Sequence, residues 1–285
     1  MHLSAQAPGK INRELRVGRL RRDGFHEVLS RIVAIDFADD LEVETFAGGL
    51  RFTCDGDAPS DESNLVVRAA RALATRLGRG AEARIHLKKR IPPGAGLGGG
   101  SADAAVALTL LIRLWEAELT AAELASLASG LGSDVPFFLA GGEANVSGRG
   151  EQVEPLEDGP ATELVLLLPP FAIATSRVYE THRRFPKRSL PDRLEIEETK
   201  KYFGPNDLAL AVLETDRRME ALMDSAREAS NECLISGSGS AIVLRGAGPE
   251  AIDELSRRHP EARIIRCRTV SRTEYRRKTG SPGGS

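Results

Sequence analysis

The sequence predicts an α+β fold in two halves, and three observations carry that expectation. First, short runs alternate apolar with polar residues: Ala83, Ile85 and Leu87 against Arg84, His86 and Lys88 have the period of a half-buried strand. Second, the period lengthens elsewhere, so that Leu65, Val66, Ala69, Ala70, Leu73 and Leu77 fall on one helical face after the polar start Ser60-Asp61-Glu62-Ser63. Third, strands and helices do not follow a strict βαβ alternation, and the turn-rich segment Glu157-Asp158-Gly159-Pro160 divides a chain of 285 residues near its middle.

From Leu15 to Val43 the pattern is strand-like, with a turn expected at Arg22-Asp23-Gly24 and another at Ala38-Asp39-Asp40; Ile32 to Phe37 is rich in β-formers. The helix over 64–77 and the strand over 83–88 lead into a glycine loop, Gly94 to Gly100, followed by a helix of small residues from Ser101 to Trp115. Thr120 with Glu123 three residues on is a capping box, which predicts a helix to Leu131. Pro136 fits only the first turn of a further helix, so Gly132-Ser133-Asp134-Val135-Pro136 reads as a helix start. Gly141, Gly142, Gly148 and Gly150 punctuate two short strands. The second half opens on the buried-strand run Leu164 to Leu168. A helix from Thr175, a basic loop over 183–193, and helices over 206–213 and 217–229 follow. A second small-residue loop, Ser236 to Ser240, precedes a strand over 241–244, then a helix over 250–258 and a strand over 263–270. The tail over 280–285 has nothing to bury and is expected to be flexible.

Composition excludes several function classes. The 39 basic and 41 acidic residues nearly cancel, leaving no electrostatic case for a nucleic-acid or membrane-surface protein. Cys54, Cys233 and Cys267 lack CxxC spacing, which disfavours a disulfide framework and a structural zinc site and fits isolated thiols in a reducing compartment. No basic-then-apolar leader opens the chain and no apolar run approaches the ~20 residues of a membrane helix, so a cytoplasmic location is expected. No oligomeric state is legible. Three basic clusters, Arg16 to Arg22, Arg183 to Arg188 and Arg272 to Lys278, read mainly as solvated faces, the first also as a candidate for diphosphate contacts. His2, His86, His182 and His259 show no ligand spacing and read as surface residues.

The 28 glycines exceed the usual ~7%, and their densest cluster is the most informative segment. In Pro92-Pro93-Gly94-Ala95-Gly96-Leu97-Gly98-Gly99-Gly100-Ser101-Ala102, backbone N–H groups can approach a phosphate without Cβ obstruction, and the following helix offers unpaired N–H groups and a positive dipole end. A dinucleotide fold would need a buried strand before the loop and an acidic residue ~20 positions on; the preceding strand is half charged, and Glu116 and Glu118 close the same helix. A Walker loop would need a lysine before Ser101, where Gly100 stands. A ligand-free glycine turn remains the bland alternative.

Pro92 to Ala102 resembles the second motif of the GHMP kinases. Pro8-Gly9-Lys10-Ile11-Asn12 resembles their N-terminal motif and Ile235 to Ser240 their C-terminal glycine motif, in the same order along nearly the whole chain. Arg22 to Glu27, Asn64 to Ala70, Gly132 to Phe138, Gly148 to Glu151 and Asn206-Asp207-Leu208 resemble the branch of that superfamily that acts on a cytidine diphosphate-bearing alcohol. The resemblance implies a two-domain GHMP kinase fold. Residues 1–157 would form an N-terminal domain with a mixed sheet and helices, carrying the ATP loop and the catalytic pair. Residues 158–279 would form a C-terminal α/β sandwich-like domain contributing substrate contacts.

The same resemblance implies ATP and Mg²⁺ as cofactors and a small-molecule substrate carrying a cytidine diphosphate group. Phosphoryl transfer to an alcohol needs an in-line hydroxyl, a proton acceptor and charge compensation. Asp134 is the candidate general base and Lys10 the cation that lowers the hydroxyl's pKa; the plain alternative for Asp134 is a helix N-cap. ATP is expected along Pro92 to Ala102 with Asn64 near the adenosine side, and Ser101 is the candidate Mg²⁺ or phosphate ligand. Phe25 and His26 follow a turn, where an aromatic face can stack on a base and a histidine can bond its edge. Thr175 and Tyr179 match a family element placing Tyr179 across the cytosine, and Asn12 is expected at the substrate's polar groups. Where the family usually continues Leu-x-Leu after Asn12, Arg13-Glu14-Leu15-Arg16 puts charges on a strand expected to be central, so its edge is either solvated or covered by a partner. Another small-molecule kinase of the superfamily and a non-catalytic sensor on the same scaffold stay open as alternatives.

Overall fold

A computed structural model describes residues 1–186, 189–199 and 201–281. Two long strands, β1 (His2–Leu20) and β2 (His26–Glu44), form an antiparallel hairpin that is the spine of the first sheet. Beyond β2 the sheet continues through β4 (Ala83–Lys88) to β3 (Leu50–Asp55), and through β5 (Glu143–Ser147) to β6 (Gln152–Pro155). Against it pack α1 (Leu65–Arg76), α2 (Gly99–Leu114), α3 (Ala121–Leu131) and α4 (Val135–Ala140). Helix α2 is central because its small residues Ala102, Ala104, Ala105 and Ala107 let neighbours approach closely.

A second sheet, antiparallel in the order β10-β7-β9-β8, is built from β7 (Glu163–Leu168), β8 (Glu232–Ile235), β9 (Ile242–Arg245) and β10 (Arg263–Arg268). Around it lie α5 (Thr175–His182), α7 (Ala209–Thr215), α8 (Arg218–Ala229) and α9 (Pro249–Arg258), while α6 (Glu195–Thr199) lies against β1. The last helix, α10 (Arg272–Thr279), returns to the first half, burying Tyr275 in that core with its hydroxyl donating to Phe138 O at 2.8 Å. The halves also share an apolar layer: Ile11, Val33, Ile35 and Leu97 pack with Leu164, Leu166, Leu168 and Val243.

The capping box at Thr120, the helix start at Pro136 and the strand pairs around the glycines form as the pattern predicts. Other readings are corrected. Ala38-Asp39-Asp40 is no turn but lies inside β2: Asp39 is buried, accepts from the N–H groups of Arg90 and Ile91 (2.5 and 2.9 Å) and pairs with Lys89. Helix α2 begins two residues before Ser101, with Gly98 as its cap. Strands β3 and β8 and helix α6 carry no signal strong enough to stand out from sequence, whereas α10 has one that the sequence reading missed, the Ser271-x-x-Glu274 spacing of its cap.

Arg16 and Glu14 are neither solvated nor covered by a partner molecule. Residues of the chain's own second half cover them: Glu14 accepts from the N–H groups of Glu195 and Ile196, both at 3.0 Å, and Arg16 reaches Glu14, Asp207 and Glu195. His182 and His259 are half-buried rather than on the surface; His259 Nε2 meets Ser225 Oγ at 2.9 Å. Arg272 is likewise no solvated cation, since it donates to the carbonyls of Leu156 and Glu143. Lys187 and Arg188 of the second basic cluster, and the tail beyond Ser281, lie outside the described residues. All three cysteines are free thiols, and burial pushes the Cys267 thiol well above its ordinary value. No helix among the described residues is long and apolar enough to cross a membrane.

Candidate active site

One cavity of about 790 Å³ opens between the halves, walled by β1, β2, the two glycine loops, the start of α2 and α5. Every residue singled out from sequence lines it except Ala102, whose side chain is buried in the first core. The sequence brings them together because three loops meet there. Backbone bonds from Ser240 and Ala241 to the carbonyls of Gly94 and Ala95 (3.1 and 3.0 Å) join the Ser236 to Ser240 loop to the glycine loop, and Lys10 N–H donates to Leu97 O at 2.9 Å, holding β1 against the same loop. Glycine is required at Gly96, where φ is +74° and a Cβ would stand 2.1 Å from Ser236 O. Ser236 Oγ closes the junction by donating to Gly96 O at 3.0 Å.

Lys10 and Asp134 face each other across this junction, with Nζ 3.7 Å from Oδ2; the lysine is buried and the carboxylate is half-exposed. Asp134 stands at the N-cap position of α4, yet its side chain makes no cap bond, leaving the carboxylate free to point at Lys10. Lys10 Nζ also donates to Asn12 Oδ1 at 2.6 Å, and Asn12 Nδ2 donates to Ser30 Oγ at 2.8 Å. Asn64 caps α1, accepting from Val66 N–H at 2.9 Å and donating to Pro59 O at 2.8 Å, and so holds one rim of the cavity. Ser101, in the first turn of α2, and Ser133, beside Asp134, offer further hydroxyls to the cavity.

The other end is aromatic. His26 is buried and stacked on Tyr179, with ring centres 5.2 Å apart and planes at 28°. His182 meets His26 edge-on at 6.2 Å, and burial lowers its pKa. Burial, with the charge of Asp134 adding, holds the Tyr179 hydroxyl above its ordinary value, so it stays protonated. Phe25 is exposed at the mouth, the Arg149 guanidinium 5.0 Å from its ring centre. Thr175 and Ser238 exchange a hydroxyl bond at 2.9 Å.

Several lining residues were given no site role from sequence: Lys89 and Ser30 were not singled out, while Asp103 and Arg149 lay only within segments that carry the family resemblance. Lys89 Nζ sits between Asp39 and Asp103, 2.8 Å from the latter, under the first turn of α2. Burial opposes its charge, but the two carboxylates overcome this and raise its pKa. Burial pushes the Asp103 carboxyl up to about 8 despite the pull of Lys89, and its Oδ1 has no hydrogen-bond partner. For Lys89 the sequence signal was the basic run Lys88-Lys89-Arg90 directly before the loop.

A glycine loop leading into a helix N-terminus, a lysine–aspartate pair and a two-sheet frame with a shared cavity define a GHMP kinase. Residues 64–142 match the family model described as GHMP kinases N terminal domain. A mevalonate kinase structure at 12% identity (TM-score 0.65, 94% of this chain and 99% of that one) shares the fold. The chain is more specifically similar to the 4-diphosphocytidyl-2-C-methyl-D-erythritol kinases of Streptomyces coelicolor (35% identical, 87% of this chain and 86% of that one) and Methylacidiphilum infernorum (38% identical, 85% of each). A crystal structure of 4-(cytidine 5'-diphospho)-2C-methyl-D-erythritol kinase superposes with a TM-score of 0.78 at 33% identity, covering 94% of this chain and 99% of that one. The chain belongs to the 4-diphosphocytidyl-2-C-methyl-D-erythritol kinase family.

Proposed function

We propose that the chain transfers the γ-phosphoryl group of ATP to the 2-hydroxyl of 4-diphosphocytidyl-2-C-methyl-D-erythritol, a step in non-mevalonate isoprenoid precursor synthesis. The observation that carries the reading is the Lys10–Asp134 pair, which shares one cavity with the glycine loop and the aromatic recess. Asp134 takes the proton of the acceptor hydroxyl, and the Lys10 ammonium stabilises the alkoxide that forms. The N–H groups of Gly94 to Gly100 and the positive end of α2 receive the phosphates of ATP, with Asn64 beside the nucleoside. Phe25 and Tyr179 supply apolar faces and His26 a hydrogen-bonding edge for the cytosine, while Thr175 and Asn12 meet the polar remainder of the substrate. In this reading residues 1–157 supply the loop and the pair, and residues 158–279 contribute the substrate side, apart from α10, which packs into the first half.

Mg²⁺ usually takes only one or two protein oxygens, phosphates and water completing its shell. No cluster of three or more acidic, histidine or cysteine ligands exists among the described residues, whereas the Ser101 hydroxyl and the half-exposed Asp134 both line the cavity, which suits that sparse demand. Ser101 would hold the ion, whose charge would offset that of the phosphates.

A coupled ADP-release assay across candidate alcohols tests the reading. Turnover is expected with the cytidine diphospho-alcohol and not with homoserine or mevalonate; the opposite pattern refutes the substrate assignment.

A further inference from the structure

Ser30 lies on β2 beside the strand that carries the lysine; it is buried and lines the cavity. Its one proton is committed, because the hydroxyl donates to Glu14 O at 2.5 Å. What Ser30 turns toward Asn12 is therefore a lone pair, and Asn12 Nδ2 donates to it at 2.8 Å. With the amide nitrogen held there, the amide oxygen must face the other way, onto Lys10 Nζ at 2.6 Å. A flipped amide would set an NH₂ donor against the ammonium and an oxygen against a hydroxyl with no proton left to give. The backbone of Asn12 is fixed separately, its N–H donating to Ser236 Oγ at 3.3 Å, so the side-chain amide is the free element and Ser30 is its selector.

We propose that Ser30 is a positioning residue for phosphoryl transfer: by accepting from Asn12 Nδ2 it fixes the amide oxygen on the Lys10 ammonium, which holds that ammonium in line with Asp134. The inference rests on the reading of Lys10 and Asp134 as the reacting pair. In this proposal Ser30 acts on the reaction through Asn12, to which its hydroxyl is bonded, and not by a bond of its own to the reacting groups. Small displacements of a reacting group carry large rate penalties, up to about 100-fold per ångström, so a partial loss of aim is expected to cost on the order of tenfold in kcat.

The experiment measures kcat and both KM values for Ser30→Ala, Ser30→Cys, Ser30→Thr, Asn12→Ala and the double variant Ser30→Ala/Asn12→Ala, at a temperature well below each variant's melting point. Ser30→Ala and Ser30→Cys should each lower kcat by about tenfold with both KM values within about twofold. Ser30→Thr, which keeps the hydroxyl, should restore most of the rate. The double variant should be no slower than Asn12→Ala alone, since a residue acting only through Asn12 has nothing further to lose. Unchanged kcat in Ser30→Ala, failure of a folded Ser30→Thr to restore it, or losses that multiply in the double variant would each overturn the inference. Lys10→Met and Asp134→Asn are run alongside. If these keep full turnover, the reacting-pair reading falls and this inference with it; if they are inactive while Ser30→Ala is not impaired, only the Ser30 inference falls.

Discussion

Asp134 occupies the residue position where a helix cap is the ordinary expectation, and it leaves the helix uncapped to face a buried lysine at 3.7 Å. That choice argues for a role in the cavity, since a capping carboxylate stabilises by about 1 kcal/mol and is not lightly given up. Replacing it with asparagine keeps the shape and removes the proton acceptor. Asp134→Asn should lower kcat by roughly 100- to 10,000-fold, the usual worth of a general base, while ATP binding measured by titration calorimetry stays within a fewfold of the parent. Undiminished turnover would remove Asp134 from that role. Phe25 and Tyr179 contrast at the same scale. Sequence could place both near a base, but it could not show that Tyr179 is already packed on His26 while Phe25 stands exposed under Arg149.

At the scale of elements, the glycine loop is fastened at both ends. Asp39 holds the N–H groups of Arg90 and Ile91 before it, and Asp103 in the second turn of α2 pairs with Lys89 after it. Two carboxylates share one ammonium in a nearly dry site, and burial, with the charge of Asp39 adding and Lys89 opposing, pushes the Asp103 carboxyl up to about 8. An acid whose pKa is raised on folding adds stability that is complete below its unfolded value near 3.9 and fades as pH climbs to the folded value. The melting temperature of the parent relative to Asp103→Asn should therefore decline between about pH 4 and pH 8 and level off above it. Parallel melting curves across that window would show that Asp103 ionises normally. This fastening explains what was illegible beforehand. Ala38-Asp39-Asp40 has turn composition, but a buried aspartate with three donors is stable inside a strand, and those donors come from residues fifty positions away. The motifs were legible because each loop's chemistry is local: glycines before a helix, a proline in a first turn, a serine-glycine run.

Over the whole molecule, β1 joins the two halves. Its Lys10 and Asn12 face the cavity, and a few residues on its Glu14 and Arg16 are locked into the second half. From sequence, charges on a central strand looked anomalous because their partners, Glu195, Ile196 and Asp207, lie about 180 to 195 positions further along and only the fold supplies them. Glu14 substitutes for a cap by accepting two N–H groups at the start of α6, and Arg16 then balances it while reaching Asp207, whose other oxygen accepts from Val17 N–H at 3.0 Å. Burial weakens the charge of Arg16, but Asp207, Glu195 and Glu14 more than offset this, and its pKa stays raised. The arrangement is an ion network buried at Glu14 and Arg16, mostly buried at Asp207 and half-exposed at Glu195 on its edge, and removing the guanidinium strands the carboxylates of Glu14 and Asp207. Arg16→Met keeps the length of the side chain and leaves Glu14 and Asp207 without their cation, so the unfolding free energy in urea should fall by about 3–5 kcal/mol. Arg16→Lys should recover only part of it, because a single ammonium cannot serve carboxylates on separate sides as the planar guanidinium does. If Arg16→Met costs less than about 1 kcal/mol, as exposed pairs do, the lock is not a stabilising element. The halves would then be held by the shared apolar layer of Ile11, Ile35, Leu166 and Val243, the docking of α10 and the backbone bonds between the two glycine loops.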